Sequence, residues 1–223
     1  MKKIGLMVAL NKEMEFFTGF IDFFETKILH KSKFQIGKYA ENEIVAVISG
    51  MGNVNAALCA SDLINIFNVD MIINVGISGG LTPKLNIGDF IVGDEIVYHD
   101  VWCGKPNKIG QVQDLPELFY SNKQLTSMLP DLKHGQICCG DLFVDNKSAL
   151  DNIVANFPKA LAVDMESAAI AQTCYLYDKP LLSVRQISDT PGIKHHAEQY
   201  ASFWENAPKN SADMVKKLLK EIK

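Results

Sequence analysis

The chain has 223 residues, 48% apolar and 22% charged, which suits a folded domain and excludes a disordered or fibrous chain. A formal net charge of -4 offers no basic surface for nucleic acid or an anionic membrane, so neither is expected as a partner. The five cysteines (Cys59, Cys103, Cys138, Cys139, Cys174) are odd in number and irregularly spaced, which argues for reduced cytoplasmic thiols over a disulfide framework or zinc site.

In chain order, Lys2 and Lys3 precede the apolar run Ile4 to Leu10. That run is too short to span a bilayer and meets Asn11, Lys12 and Glu13 with no small-residue cleavage site, so it reads as a buried strand. Further strands are expected at Phe34 to Tyr39, Ile44 to Ser49, Met71 to Val75, Asp89 to Tyr98, Gln136 to Cys139, Leu161 to Val163 and Leu181 to Ile187. Several are continuous Val/Ile/Leu runs, the pattern of strands covered on both faces. Helices are expected at Lys12 to Phe24, Val54 to Phe67, Lys147 to Asn156, Glu166 to Tyr177 and about Ala197 to Lys223. Pro208 either breaks the last of these or begins a new helix at its first turn. The alternation predicts one domain over residues 1–223, a three-layer α/β/α arrangement around a central mixed β-sheet. The longest irregular stretch is Asp100 to Asn122.

Ligands of open α/β sheets gather at the carboxyl ends of strands, so polar residues just after the apolar runs are the candidates. Glu13 follows the first strand; it can act as a general base for water, or simply favour its own helix dipole, and position alone favours the second. Ser49-Gly50-Met51-Gly52-Asn53 is either an anion cradle or a plain tight turn; it has no Walker or G-x-G-x-x-G pattern. Asn74 to Leu81 carries Gly76, Ser78, Gly79 and Gly80, which can line a pocket or form a loop needing positive φ. In Val163-Asp164-Met165-Glu166-Ser167, Glu166 can accept from a ribose diol while Met165 packs on its apolar side, or it can be a first-turn glutamate. Asp189, after Ser188, leaves an apolar run where burial raises a carboxyl's pKa and lets it carry a proton; a capping Asp before Pro191-Gly192 is the alternative.

Taken together with Gly140-Asp141-Leu142-Phe143, these blocks resemble the 5'-methylthioadenosine/S-adenosylhomocysteine nucleosidase family, over nearly the whole chain. Val163 to Ala168 and Arg185 to Asp189 are the most specific. The resemblance implies a nucleoside phosphorylase-like fold and hydrolysis of the N-glycosidic bond of methylthioadenosine, S-adenosylhomocysteine or 5'-deoxyadenosine. It implies that Asp189 protonates the departing adenine at N7, that Phe143 and the backbone of Val144 hold the base, and that Met165 and Glu166 bind the ribose. Glu13 would deprotonate the attacking water, with Ser78, Gly79 and Ser188 lining the site. It also implies a homodimer sharing a 5' pocket, with Trp102, Phe119 and Tyr120 as interface or core aromatics. No cofactor or metal is expected.

Two rivals share these residues. A phosphorylase would hold phosphate with arginine forks, but Arg185 is the only arginine and lies within a strand run. A non-catalytic nucleoside-binding protein would need neither Glu13 nor Asp189. Metal binding by Tyr98-His99-Asp100 or His195-His196 lacks matching ligand spacing. Against the family pattern, Ile77 replaces a small polar residue, Asp164 and Ser167 are conservative changes, and Trp102-Cys103-Gly104-Lys105-Pro106 departs most. The 5' substituent is therefore not chosen by the resemblance.

Overall fold

A computed structural model describes residues 1–191, 196–204 and 207–223, except the side chains of 196–197 and 207–210. Gly192 and His195 thus lie outside the described residues, as does the side chain of His196. Among the described residues, ten strands form one mixed sheet. In its open part, β1 (Lys3–Val8) lies parallel to β4 (Asn42–Ile48) and β5 (Met71–Gly80), with β3 (Ser32–Tyr39) and β2 (Asp22–Leu29) continuing antiparallel to the edge.

The other side curls into a ring. β5 runs parallel to β10 (Leu181–Asp189), which is antiparallel to β6 (Phe90–Tyr98); β6 then pairs with β8 (Lys133–Cys139), and β8 with β9 (Ala160–Asp164). Gly79 and Gly80, ending β5, pair with Val163 and Ala162 of β9 and close it. β5 is therefore hydrogen-bonded to three strands along its length, a closure the alternation of elements did not predict.

Helices cover both faces. α1 (Asn11–Thr18), α3 (Lys123–Thr126), α6 (His196–Phe203) and α7 (Ala207–Glu221) pack over a core holding Ile4, Leu6, Phe16, Phe17, Ile73, Val184 and Leu218. α2 (Asn53–Asn65) and α5 (Ser167–Leu176) cover the other face with Leu63, Ile72, Ala168 and Ile170. Ala168 and Ala171 bring α5 close to the sheet, as their small side chains allow. α4 (Lys147–Asn156) begins at Asn146, whose side chain accepts from Ala149 N at 2.9 Å. α7 places Pro208 in its first turn.

Two expectations need correction. The helix expected to Phe24 stops at Thr18, and β2 follows instead. Phe16, Phe17, Phe20, Ile21 and Phe24 keep a helix-like apolar spacing beyond Gly19, while β2 is an exposed edge without clear alternation. Its turn to β3 uses His30 and Lys31 at φ 48° and 69°, positions where Asn-Gly would announce a hairpin. Secondly, Gly76 to Gly80 belong to β5, and none of its glycines has positive φ. They are glycines because neighbours crowd the missing Cβ. The stretch from Asp100 to Asn122 holds only the two-residue strand β7 (Phe119–Tyr120). Of the aromatics there, Phe119 is core, 4% exposed, whereas Trp102 and Tyr120 are exposed.

Candidate active site

Glu13, Ser78, Gly79, Phe143, Val144, Met165, Glu166, Ser188 and Asp189 all line one cleft. Apolar walls with a few convergent polar groups are the pattern of a small-molecule site. The cleft lies over the carboxyl ends of β1, β5, β9 and β10, with the loop after β8 as one wall.

Glu13 is buried in the first turn of α1. Its Oε2 accepts from Ala9 N and Leu10 N, each at 2.8 Å, and its Oε1 accepts from Ile77 N at 2.9 Å. The helix-start account therefore covers only part of its role, because Ile77 belongs to a different element. Burial pushes its pKa up, and the three N–H bonds and the Arg185 charge oppose that shift. Gly76 makes room for it: a Cβ there would lie 2.8 Å from Glu13 Oε1.

Glu166 makes no side-chain cap hydrogen bond to its own helix. Its Oε1 accepts from Gly52 N, at the start of α2, at 2.9 Å. Asp164 caps α5 instead, accepting from Ser167 N at 3.1 Å and Ser167 Oγ at 2.8 Å. Burial, and then the Asp164 charge, raise the Glu166 pKa to about 7.

Beneath these carboxylates, buried Arg185 donates from Nε to Asp164 Oδ2 at 2.6 Å, and from Nη2 to Asn74 Oδ1. Its charge offsets Asp164 first, then Glu166 and Glu13. Its signal was in the sequence as a lone charge inside an apolar strand run.

Asp189 ends β10 and is 5% exposed. Ser188 Oγ reaches Asp189 Oδ1 and lies 3.2 Å from Ser78 O. That hydroxyl can donate to an ionised Asp189, or accept from a protonated one while donating to Ser78 O. Among the described residues, buried Ser78 Oγ has no hydrogen-bond partner, which leaves a polar group available to a ligand. Met51, Leu142 and Tyr200 also line the wall; the first two lie within the Ser49 to Asn53 and Gly140 to Phe143 blocks without standing out there as site residues, and Tyr200 arrives from distant α6.

The N–H groups at the start of α2, where an anion could bind, are already occupied. Gly52 N faces Glu166, and Asn53 N donates to Asp141 Oδ1 at 2.8 Å, so the glycine turn before α2 cradles the chain's own carboxylates. Among the described residues no group of three or more His, Cys, Asp and Glu could hold a metal ion.

The phosphorylase superfamily model matches residues 3–220. The chain is 34% identical to the 5'-methylthioadenosine/S-adenosylhomocysteine nucleosidase of Chromohalobacter salexigens, covering 100% of this chain and 98% of that one. It belongs to the 5'-methylthioadenosine/S-adenosylhomocysteine nucleosidase family. The Neisseria meningitidis nucleosidase, solved with methylthio-immucillin-A, superposes with a TM-score of 0.94 at 31% identity, covering 100% of both chains. Futalosine hydrolase of Helicobacter pylori superposes at 0.92 with 28% identity, covering 99% and 98%. A nucleosidase of this family and a futalosine hydrolase thus share this fold.

Proposed function

We propose that this enzyme hydrolyses the N-glycosidic bond of 5'-methylthioadenosine and S-adenosylhomocysteine, with 5'-deoxyadenosine as a further substrate, releasing adenine and the 5-substituted ribose. The observation that carries the choice of water over phosphate is the self-filled anion site. The N–H groups before α2 bind Glu166 and Asp141, and Arg185 is buried against Asp164 and Asn74. No arginine fork is left for a phosphate dianion.

In this reading the C1'–N9 bond breaks with its electron pair moving into the purine, and Asp189 delivers a proton to N7 so that neutral adenine departs. Glu166, Met165 and Ser78 hold the sugar, and Phe143 and Val144 hold the base. The sugar gains oxocarbenium character, which Glu166 and Glu13 favour in a desolvated cleft. Water adds to C1' and gives its proton to Glu13, whose oxygens are aimed by three N–H groups.

The enzyme acts as one unit over residues 1–223 and as a homodimer. Support for the dimer comes from Met51, Val54 and Leu58, an exposed apolar stripe at the start of α2 next to the cleft. Trp102 and Tyr120 are exposed enough to join an interface; Phe119 is not. Free thiols suit the cytoplasm, and no helix among the described residues is long and apolar enough to cross a membrane. Adenine release from methylthioadenosine by dialysed enzyme tests the reaction. Free methylthioribose without phosphate is expected, while strict phosphate dependence with a sugar 1-phosphate product would overturn it.

A further inference from the structure

Asp141 stands outside the cleft but between its two ends. It opens the loop after β8, whose next three residues, Leu142, Phe143 and Val144, line the wall, yet Asp141 itself does not. Its Oδ1 accepts from Asn53 N at 2.8 Å and from Asn53 Nδ2 at 3.1 Å. Its own N–H donates to Asp100 Oδ2, two residues past the end of β6, at 2.7 Å. The preceding N–H of the same turn, that of Gly52, donates to Glu166. Two consecutive N–H groups at the start of α2 therefore hold a carboxylate of the cleft and the root of the Phe143 loop.

Local packing leaves little freedom in this link. A Cβ on Gly140 would lie 2.5 Å from His99 Nε2 and 2.6 Å from Asp100 Oδ2, so a larger residue there would push Asp141 N away from its acceptor. Gly52 has a φ of 94°, a conformation that side chains other than glycine's rarely adopt.

We propose that Asp141 is a positioning residue that fixes the base-side loop relative to Glu166 through the first turn of α2. The names of the two ends rest on the nucleosidase reading; the link itself does not. The bonds require an acceptor oxygen at the right reach and not a charge. Asn at 141 can accept the same two bonds through Oδ1, Ala can accept neither, and Glu keeps the charge while displacing the oxygen.

The test compares the full chain with Asp141→Ala, Asp141→Asn and Asp141→Glu. In ligand-free protein, hydrogen exchange at Asn53 and at Leu142 to Val144 should quicken about tenfold in Asp141→Ala and Asp141→Glu, and stay near wild type in Asp141→Asn. With methylthioadenosine the first two should raise KM about tenfold and change kcat by less than about threefold, because acid and base are untouched. Wild-type exchange and KM in both the Ala and Glu variants would overturn the proposal. So would an Asn variant as impaired as the Ala variant, since charge would then be what matters. The Glu variant carries the test if the Ala variant does not fold. Wild-type enzyme that fails to cleave methylthioadenosine would sink the functional reading alone, because the exchange measurement still judges the link.

Discussion

Glu13 and Glu166 each follow a strand and Asp189 ends one, yet the structure gives them three different surroundings. Glu13 is aimed by N–H groups from two elements, Glu166 sits against Asp164, and Asp189 shares a hydroxyl with the strand beneath it. If Asp189 is the acid, Asp189→Asn should lower kcat about a thousandfold while adenine still binds, as measured by titration calorimetry; wild-type kcat would remove it from the mechanism. Glu166 permits a prediction about stability. Its folded pKa, about 7, exceeds the value of 4.5 expected for the unfolded chain. The proton-linked stability is therefore full below 4.5 and is lost as pH rises through about 7. Glu166→Gln keeps an acceptor for Gly52 N without the charge. It should melt roughly 5 °C above wild type at pH 8, with the gap closing toward pH 4.5. A gap constant across that range would show that the carboxyl does not titrate as described.

Among the elements, β5 carries most of the site's geometry. Gly76, Ser78 and Gly79 sit within regular strand, where a missing Cβ admits Glu13 at one position and Pro191 at another. Gly76→Ala should displace the Glu13 carboxylate, lowering kcat at least tenfold and stability by about 1–3 kcal/mol. Gly19→Ala is the control, since its φ of -77° is ordinary and nothing lies within 4 Å of a Cβ there. A Gly76→Ala enzyme indistinguishable from that control would show that the strand tolerates the methyl group. The same strand marks how far sequence reasoning reached. Polar residues after apolar runs located Glu13, Ser78, Glu166 and Asp189, because strand ends converge on one edge of the sheet. The purpose of the glycines was hidden, since crowding depends on Glu13 and Pro191, distant in the chain. For β2 the obstacle was solvent: an exposed edge imposes no alternation, and the phenylalanines of α1 continue their spacing into it.

Across the whole molecule, the cleft borders the exposed apolar start of α2. If the proposed homodimer forms through this stripe, Leu58→Glu should convert it to monomers in sedimentation velocity and reduce activity, because two like charges brought together at the interface repel. A variant that sediments like wild type would move the interface elsewhere. The closed ring of β5, β10, β6, β8 and β9 has a consequence for how the enzyme is made. Its last strand, Leu181–Asp189, seals the ring and brings Asp189, while β5 and Glu13 leave the ribosome more than a hundred residues earlier. Under the proposed mechanism, a nascent chain that has not yet emitted β10 holds the base without the acid. Half-made copies would then be silent toward nucleosides, and catalytic competence would arrive late in synthesis, in the same step that closes the ring.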